Sequence, residues 1–537
     1  MKSAASSVVS SAAVATGDLL GIVLAVRRIP FLQPHLHSHL PKTAQTHLCA
    51  PILPKPVPSA TVTFTTVSAT TITPLNNSLT PEPLPSLFQP PRAKLEPASI
   101  PRTRVGRMYE FGTLAASVGM GIMSEAVKRA TGFSPEPSKS VFSLSSNNIE
   151  LIVKKLSKMR GAALKMGQML SIQDNRVVPP EIEAVFRRVQ DSANYMPKWQ
   201  LEDVLRSNLG VDWRQRFSSF EDVPIAAASI GQVHKAVLPT GETVAVKVQY
   251  PGVADSISSD LSNLKSLMLF GNMLPRGLYL DNMIRVATLE LGLECDYTRE
   301  ASAAIRFQEL IASSGLSVFH VPRVYPEYST HRVLTTEYFE GVSIERAVLL
   351  DQKTRNEIGE NLFRLCLMEL FSFRFMQTDP NWSNFLYNPT TKKIALIDFG
   401  ASREFPKKFT DDYLRLLRAS SLEDYDGCIE WSRKLGFLTG YESAAMNSSH
   451  IKSLQLLSRP FMANAERIYD FRAFSDISGQ VRSEIPVMLR ERLTPPPDES
   501  YSLHRKLSGC FLLCTKLGSQ IPCRDIFKDI LDNYKFY

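Results

Sequence analysis

Two short polar motifs with a fixed spacing restrict the fold of this chain more than any other feature. Residues 377–384 read Gln-Thr-Asp-Pro-Asn-Trp-Ser-Asn, which places Asp379 and Asn384 five positions apart in one loop. Asp398 begins the tripeptide Asp-Phe-Gly directly after an apolar segment that we predict to be a strand. Phosphoryl transfer needs a carboxylate near the attacking oxygen, and an amide and a second carboxylate that hold Mg²⁺ on the phosphates. The motifs therefore predict an ATP site in which Asp379 is catalytic and Asn384 and Asp398 bind the metal.

The composition is that of a globular protein without the features of a nucleic-acid-binding chain. The 537 residues suffice for two or three domains, and 44% hydrophobic with 21% charged residues are ordinary proportions. The formal net charge is +8, but lysine and arginine form no run with interleaved aromatic residues, so we expect no nucleic acid partner. The seven cysteines are scattered and form no Cys-x-x-Cys pair, which argues against a zinc site and a disulfide framework.

Residues 1–104 have the composition of a targeting segment followed by a linker. Residues 1–81 contain a single acidic residue, Asp18, among basic residues and many Ser, Ala and Thr, as is typical of an organellar transit peptide. A secretory signal is the alternative, but the apolar run at 19–26 is short and no small-x-small cleavage site follows it. We therefore favour mitochondrial targeting. Fifteen of the 35 prolines lie in residues 30–101, which predicts an extended or disordered linker.

An apolar segment rich in small residues, 111–124, follows the linker. It is shorter than the roughly 20 residues that a membrane-spanning helix needs. It is either a buried or interfacial helix or a marginal membrane segment, and the spacing of Gly112 and Ala116 permits close helix packing in lipid. We assign residues 105–135 to a membrane or dimerisation helix.

The order of the remaining elements predicts an α+β, bilobal, protein-kinase-like fold. Apolar residues recur at three- and four-residue steps from about 146 to 207, whereas residues 220–250 alternate as strands do. We further predict long helices within about 281–313, a strand at 332–338, a buried helix at about 354–377 and a mostly helical C-terminal region. The corresponding domains are a helical extension at 140–215, a small lobe at 216–340 and a large lobe at 341–537.

A lysine in the predicted small lobe is suited to bind phosphates. Lys247 shares one face of its strand with Ala245, and this small neighbour leaves room for a flat base beside the cation. A surface lysine on an edge strand is the alternative. We expect Glu300 to pair with Lys247 from a helix that also carries Glu294, about 240° around that helix. A solvated acidic helix is the alternative for these carboxylates.

The expected phosphate loop departs from the Gly-x-Gly-x-x-Gly pattern of ordinary kinases. Alanines occupy positions 226–228, followed by Ser229 and the single glycine Gly231. Because alanine resists positive φ and close backbone approach, the loop is predicted to cover phosphates in a different geometry. We assign ATP binding to the loop residues Ala226, Ala227, Ala228 and Ser229. The backbone of the connecting strand is expected to bind the adenine edge through Thr336, Glu337, Tyr338 and Phe339.

The catalytic loop departs from that pattern as well. Gln377 and Thr378 stand where ordinary kinases have His-Arg, and no Ala-Pro-Glu follows Asp398. The chain between Asp398 and the next predicted helix is short, so we expect no docking platform for a protein substrate. An orthodox protein kinase is accordingly the third-ranked function.

From about residue 105 onwards the chain resembles the UbiB family of atypical kinases, also called the aarF-domain or ADCK family. The similarity is greatest to the mitochondrial members that support coenzyme Q (ubiquinone) biosynthesis. Besides the two motifs in the predicted large lobe and the alanine-rich loop, it rests on two further motifs. These are the family's Lys-x-Gly-Gln, at Lys165, Gly167 and Gln168, and its Glu-x-Asp, at Glu294 and Asp296. Without the resemblance, Lys165 would be read as an exposed lysine on a helix.

The resemblance implies a kinase-like fold with an added helical domain in which the Lys-x-Gly-Gln and Glu-x-Asp motifs have a regulatory role near the nucleotide. It also implies an ATPase or unorthodox kinase that uses ATP and Mg²⁺. The implied location is the matrix face of the inner mitochondrial membrane, in contact with its lipid and with the coenzyme Q biosynthetic enzymes, and the segment 111–124 would serve membrane contact and a homodimer. A pseudokinase that organises these enzymes without turnover is the alternative function.

Overall fold

The described residues of the computed structural model are 96–103, 105–114, 116–117, 146–159, 161, 194–270, 280–494 and 496–537. They belong to one compact unit. The predicted motif residues Lys165, Gly167 and Gln168 lie outside the described residues, as does the predicted transit peptide.

A five-stranded antiparallel sheet forms the small lobe. The strands are β3 (Ser219–Phe220), β4 (Ala226–Ala227), β5 (Gly231–Val237), β6 (Thr243–Gln249) and β8 (Val333–Glu337), in the order β3-β5-β6-β8 with β4 paired to β5. Val244, Val246 and Val248 of β6 are fully buried, whereas Ala245 and Lys247 face the other side. The strands predicted at 243–248 and 332–338 are thus confirmed, because period-two alternation matches a sheet with one buried face.

Helices flank this sheet. They are α1 (Ser146–Met159), α2 (Lys198–Leu209), α3 (Val253–Phe270), α4 (Leu280–Glu294) and α5 (Tyr297–Ser314). The long helices predicted at about 281–313 are confirmed as α4 and α5, but the expectation that Glu294 and Glu300 share one helix is wrong, because the chain breaks between α4 and α5. The Asp296 side chain accepts hydrogen bonds from the backbone N–H groups of Thr298 and Arg299, and this N-cap starts α5 in a new direction.

The N-terminal side of the predicted membrane helix packs into the small lobe. Residues 105–114 and 116–117 are helical, and Phe111 and Leu114 are buried in the same core as β6. The guanidinium of Arg107 is buried and donates to Asp260 of α3 through Nε at 2.7 Å. No helix among the described residues is long and apolar enough to cross a bilayer. Residues 118–124 of the predicted segment lie outside the described ranges.

The large lobe begins with a buried helix, α6 (Gln352–Phe371). The prediction that this helix extends to 377 is wrong, because the chain turns at Arg374, whose φ is 50°, and enters β10 (Phe375–Gln377). β10 pairs with β13 (Ser402–Glu404). The second sheet has the order β7-β12-β11-β9 and comprises β7 (Phe319–His320), β9 (Val342–Ser343), β11 (Phe385–Asn388) and β12 (Lys393–Leu396).

Helices make up most of the C-terminal region, as predicted. They are α7 (Lys407–Ser421), α8 (Tyr425–Leu435), α9 (Ala444–Ser458), α10 (Phe474–Glu491), α11 (Asp498–Leu517) and α12 (Cys523–Asn533). Small pairings complete the strand set: β1 (Glu96–Pro97) with β2 (Asn194–Tyr195), and β14 (Tyr469–Asp470) with β15 (Gln520–Ile521). Six cysteines in the described part of the chain are free and buried. None of these six forms a disulfide, and the sequence predicted no disulfide framework.

Candidate nucleotide site

Lys247, Glu300 and Asp398 meet in one cluster, although Asp398 lies 151 residues after the lysine. The Nζ atom of Lys247 donates to Oε1 of Glu300 at 2.7 Å and to Oδ2 of Asp398 at 3.1 Å. Burial by itself lowers the pKa of Lys247, but the carboxylates of Asp398 and Glu300 outweigh burial and raise this pKa well above its usual value. The site therefore holds a fixed cation of the kind that contacts nucleotide phosphates.

The partner carboxylate, Glu300, lies in the first turn of α5 and is buried. Burial raises the pKa of Glu300, and the ammonium of Lys247 opposes this rise. The ring of Tyr297, on the same turn, lies 5.1 Å from Nζ of Lys247. The structure thus contains the predicted ion pair between Lys247 and Glu300. Lys247 also makes a cation–π contact with the ring of Tyr297.

The alanine-rich loop forms a tight hairpin with β5, the strand that pairs with β6 and so lies next to Lys247. Ala226 and Ala227 pair with Val233 and Gln232 of β5, and the N–H of Ala228 donates to the carbonyl of Gly231 at 2.8 Å. Among the described residues, positive φ occurs at Arg374, Lys392, Glu423 and eight glycines, so the three alanines and Ser229 keep negative φ. A Cβ at Gly231 would lie 2.6 Å from the carbonyl oxygen of Val248, so only glycine fits there.

The helical extension touches this hairpin. The N–H of Gly161, just after α1, donates to the carbonyl of Ser229 at 2.8 Å. Gly161 has φ of 58°, and a Cβ would lie 3.1 Å from Val253 of α3, so the position favours glycine on both counts. The extension therefore helps to set the shape of the alanine-rich loop.

The predicted catalytic loop, residues 377–384, brings Asp379 and Asn384 together. The Nδ2 atom of Asn384 donates to Oδ2 of Asp379 at 3.4 Å, and the N–H of Asn381 donates to Oδ1 at 3.3 Å. The N–H of Ile397 donates to the carbonyl of Asn384 at 3.1 Å, which ties the loop to the residue before Asp398. The five-residue spacing thus produces the predicted proximity.

The donor set of Asn384 and Asp398 suits Mg²⁺. Carboxylate and amide oxygens are the hard ligands that this ion prefers, and nucleotide phosphates and water usually complete its shell. Oδ1 of Asp398 accepts from the N–H of Gly400 at 3.0 Å, which orients the carboxylate. Among the described residues, no group of three or more His, Cys, Asp or Glu side chains is arranged so that it could hold a metal ion by itself.

The connecting strand offers fewer free donors than the sequence suggests. The N–H of Glu337 donates to the carbonyl of Arg323 at 2.7 Å, and that of Tyr338 donates to the carbonyl of Thr243 at 3.0 Å. These two N–H groups are therefore already paired within the protein in this conformation. Binding of the adenine edge by backbone groups of Thr336, Glu337, Tyr338 and Phe339 stays a prediction.

The Glu-x-Asp residues have separate positions. Glu294, the last residue of α4, is buried, and its Cγ lies 3.2 Å from the position of a Cβ at Gly400. Asp296 caps α5, and its hydrogen bond with Thr298 lowers its pKa. Glu294 thus borders the turn after Asp398, whereas Asp296 stabilises the helix that presents Glu300.

Two contacts at this site have no clear sequence signal. Arg299 donates to the carbonyl of Gly400 through Nη1 at 2.7 Å and to the carbonyl of Ser402 through Nη2. The Thr378 hydroxyl donates to the carbonyl of Ala401 at 2.8 Å. Both side chains hold the segment after Asp398 in place. Thr378 belongs to the motif that contains Asp379, but its contact with Ala401 was not predicted, and Arg299 belongs to no repeat or spacing that would have marked it.

Known proteins share both the domain and most of the chain. The ABC1 atypical kinase-like domain matches residues 188–432. "Atypical kinase COQ8B, mitochondrial" of Danio rerio is 48% identical over 457 residues, which cover 84% of this chain and 72% of the relative. "Atypical kinase COQ8, mitochondrial" of Saccharomyces cerevisiae is 47% identical over 436 residues, with 81% and 86% covered.

A solved structure shows the same fold. It is the complex of Rv3197 with erythromycin from Mycobacterium tuberculosis, with a TM-score of 0.50 and 24% sequence identity. The similarity covers 70% of this chain and 93% of the solved one. At this identity the comparison supports the kinase-like α+β architecture.

Proposed function

Because this chain belongs to the family of mitochondrial COQ8 atypical kinases, we propose that it binds Mg-ATP and transfers or releases the terminal phosphoryl group in support of coenzyme Q biosynthesis. The observation that carries the proposal is the cluster of Lys247, Glu300 and Asp398 beside the loop of Asp379 and Asn384. Kinase-type phosphoryl transfer uses this combination of a fixed cation, metal ligands and a carboxylate near the acceptor.

Each residue has a distinct role in this proposal. Lys247 contacts the α- and β-phosphates, and Glu300 keeps it in place. Asn384 and Asp398 hold Mg²⁺, which supplies positive charge to the phosphates when bound. Asp379 orients the acceptor hydroxyl or water, whose oxygen bonds to the γ-phosphorus as the bond to the ADP oxygen breaks, and Asp379 takes the proton.

The cellular setting is also part of the proposal. The relatives' names describe mitochondrial proteins, which supports a mitochondrial site of action. We place the protein on the matrix face of the inner membrane, where it contacts the coenzyme Q enzymes and membrane lipid. The Lys-x-Gly-Gln and Glu-x-Asp motifs then regulate the site, and the weakly apolar helix contributes to membrane contact or to a homodimer.

The test is phosphate release by the purified chain and its Asp379→Asn variant. We expect the variant to lose about 100-fold or more of its turnover, because removal of a positioned acid–base group typically has this effect. Binding of Mg-ATP, measured separately, should persist. Asp532→Asn is the matched control, since Asp532 is an exposed carboxylate at the C-terminal helix. Wild-type turnover in Asp379→Asn would refute the catalytic assignment.

Quinone profiling in cells distinguishes an active enzyme from a pseudokinase that only organises the coenzyme Q enzymes. Cells whose only copy is Asp379→Asn should lose coenzyme Q if turnover is the function. Normal coenzyme Q with a variant that binds ATP but does not turn it over would instead establish the pseudokinase alternative.

A further inference from the structure

Helix α11 lies in direct contact with the catalytic loop, although it comes more than a hundred residues later. The indole Nε1 of Trp382 donates to the carbonyl of Gly509 at 3.2 Å. A Cβ at Gly509 would lie 2.3 Å from the Cβ of Pro380, the residue after Asp379. No side chain fits between them, so the loop rests on the backbone of α11 at this point.

One turn earlier, α11 places a buried cation beneath the start of the same loop. Lys506 is 5% exposed, and its Nζ lies 3.4 Å from Oε2 of Glu369 and 3.5 Å from Oε1 of Gln377. Glu369, on α6, is 1% exposed, and its Oε1 accepts from the N–H of Gln377 at 3.4 Å. Both charged groups therefore reach Gln377, two positions before Asp379.

The same face of α11 also contacts the small lobe and the strand that follows Asp398. Arg505 pairs with Glu290 of α4 at 2.5 Å, and both side chains are mostly buried. The hydroxyl of Ser502 accepts from Nη1 of Arg403, on β13, at 2.9 Å. The helix is thus fixed by contacts outside the catalytic loop, and it can serve as a rigid support for that loop.

A buried ion pair is a poor choice for stability alone, because apolar side chains of similar size often stabilise a protein equally well or better. Its advantage is that it specifies one geometry, since each buried charge is stabilised only where its partner faces it. Here the arrangement includes Gln377, which occupies the position of a histidine in ordinary kinases. The pair of Lys506 and Glu369 therefore fits a role in fixing the geometry of the loop.

We propose that Lys506 is a positioning residue for Asp379, acting from α11 through Glu369 and Gln377. The inference rests on the proposed function, because the position of Asp379 affects turnover only if this carboxylate acts in the reaction. It does not place Lys506 in contact with nucleotide or acceptor. It makes helix α11 part of the catalytic apparatus.

The experiment compares Lys506→Met with the double variant Lys506→Met/Glu369→Gln in the full chain. Lys506→Met should lose about tenfold or more in kcat, because small displacements of reacting groups have effects of this size, while the KM for Mg-ATP stays within about twofold. The double variant should recover at least about threefold, because an amide at 369 no longer leaves an unpaired buried charge and can still bind Gln377. Lys434→Met is the matched control, since Lys434 forms an exposed pair with Glu430.

Amide hydrogen exchange tests the same inference without activity. Residues 377–384 should exchange faster in Lys506→Met than in the wild type, with unchanged exchange in α8. If the wild type shows no turnover, the proposed function fails, and the exchange result still decides whether Lys506 positions the loop. Wild-type kcat and wild-type exchange in Lys506→Met would overturn the inference, as would a double variant no better than the single one. If Lys506→Met does not fold, Lys506→Gln is judged by the same criteria.

Discussion

Lys247 shows how single residues join the two lobes at this site. Its ammonium forms ion pairs with Glu300 of the small lobe and Asp398 of the large lobe, so one side chain links a carboxylate of each lobe. Arg299, the neighbour of Glu300, adds hydrogen bonds to the backbone after Asp398. At the residue scale, two adjacent side chains of α5 therefore stabilise the candidate nucleotide site: Glu300 binds Lys247, and Arg299 binds the backbone after Asp398.

The alanine-rich loop supports a prediction at this scale. Ala228→Gly restores backbone freedom at the hairpin turn, which should let N–H groups approach the terminal phosphate and raise the affinity for ATP relative to ADP by about threefold or more. Calorimetric titration of both nucleotides measures the ratio. Ala445→Gly, in an exposed first turn of α9, controls for general effects of an added glycine. An unchanged ratio would contradict our account of the loop.

At the scale of elements, helices α4 and α11 each contain a glycine, and the two glycines differ in their surroundings. Gly292 of α4 has open space around the position of a Cβ, whereas Gly509 of α11 has Pro380 at 2.3 Å. Glycine in a helix interior is unfavourable unless close contact requires it. The glycine of α11 is thus explained by contact with the catalytic loop, while that of α4 has no such contact.

The two alanine substitutions should have opposite effects. Gly292→Ala should raise the free energy of unfolding by about 0.5–1 kcal/mol through helix propensity. Gly509→Ala should lower it by about 1–3 kcal/mol, because the new methyl group overlaps Pro380 and the packing must shift. Urea denaturation measures both values. Equal stabilisation by the two substitutions would show that α11 and the loop are not in the close contact described above.

At the scale of the molecule, three histidines that are buried in the described part of the chain link stability to pH. Burial lowers the pKa of His234 to about 4, and it lowers the pKa values of His450 and His504 to about 3. Each ring has a hydrogen-bonding neighbour in the protein: Gln232, Ser432 and Tyr413, respectively. The folded chain therefore keeps these rings neutral at pH values where an unfolded chain would protonate them.

The sign of the pH dependence follows from these shifts. Between about pH 6.5 and pH 4 the unfolded chain binds more protons, so the free energy of unfolding should fall as the pH falls, by about 1.4 kcal/mol per pH unit for each histidine. Urea denaturation at pH 7 and pH 5.5 measures the fall. His504→Gln should reduce it, whereas His331→Asn, at an exposed position, should not. An equal fall in wild type and His504→Gln would contradict the assignment.

The sequence-based predictions succeeded where neighbouring residues suffice. The alternation of β6 follows from a period-two pattern, and the contact between Asp379 and Asn384 follows from their separation within one loop. Helix limits were predicted less well, because the apolar pattern continues through the break at Asp296, where a capping side chain ends one helix and begins another.

Local order along the chain was enough to predict the kinase-like architecture and to single out Lys247 and the two acidic motifs, because each depends on short spacings within the sequence. The folded molecule alone brings Lys247 to Asp398, Arg299 to Gly400 and Lys506 to Gln377, across separations of 151, 101 and 129 residues. These contacts depend on how whole helices and sheets pack, and nothing in the residues on either side of each partner specifies that packing.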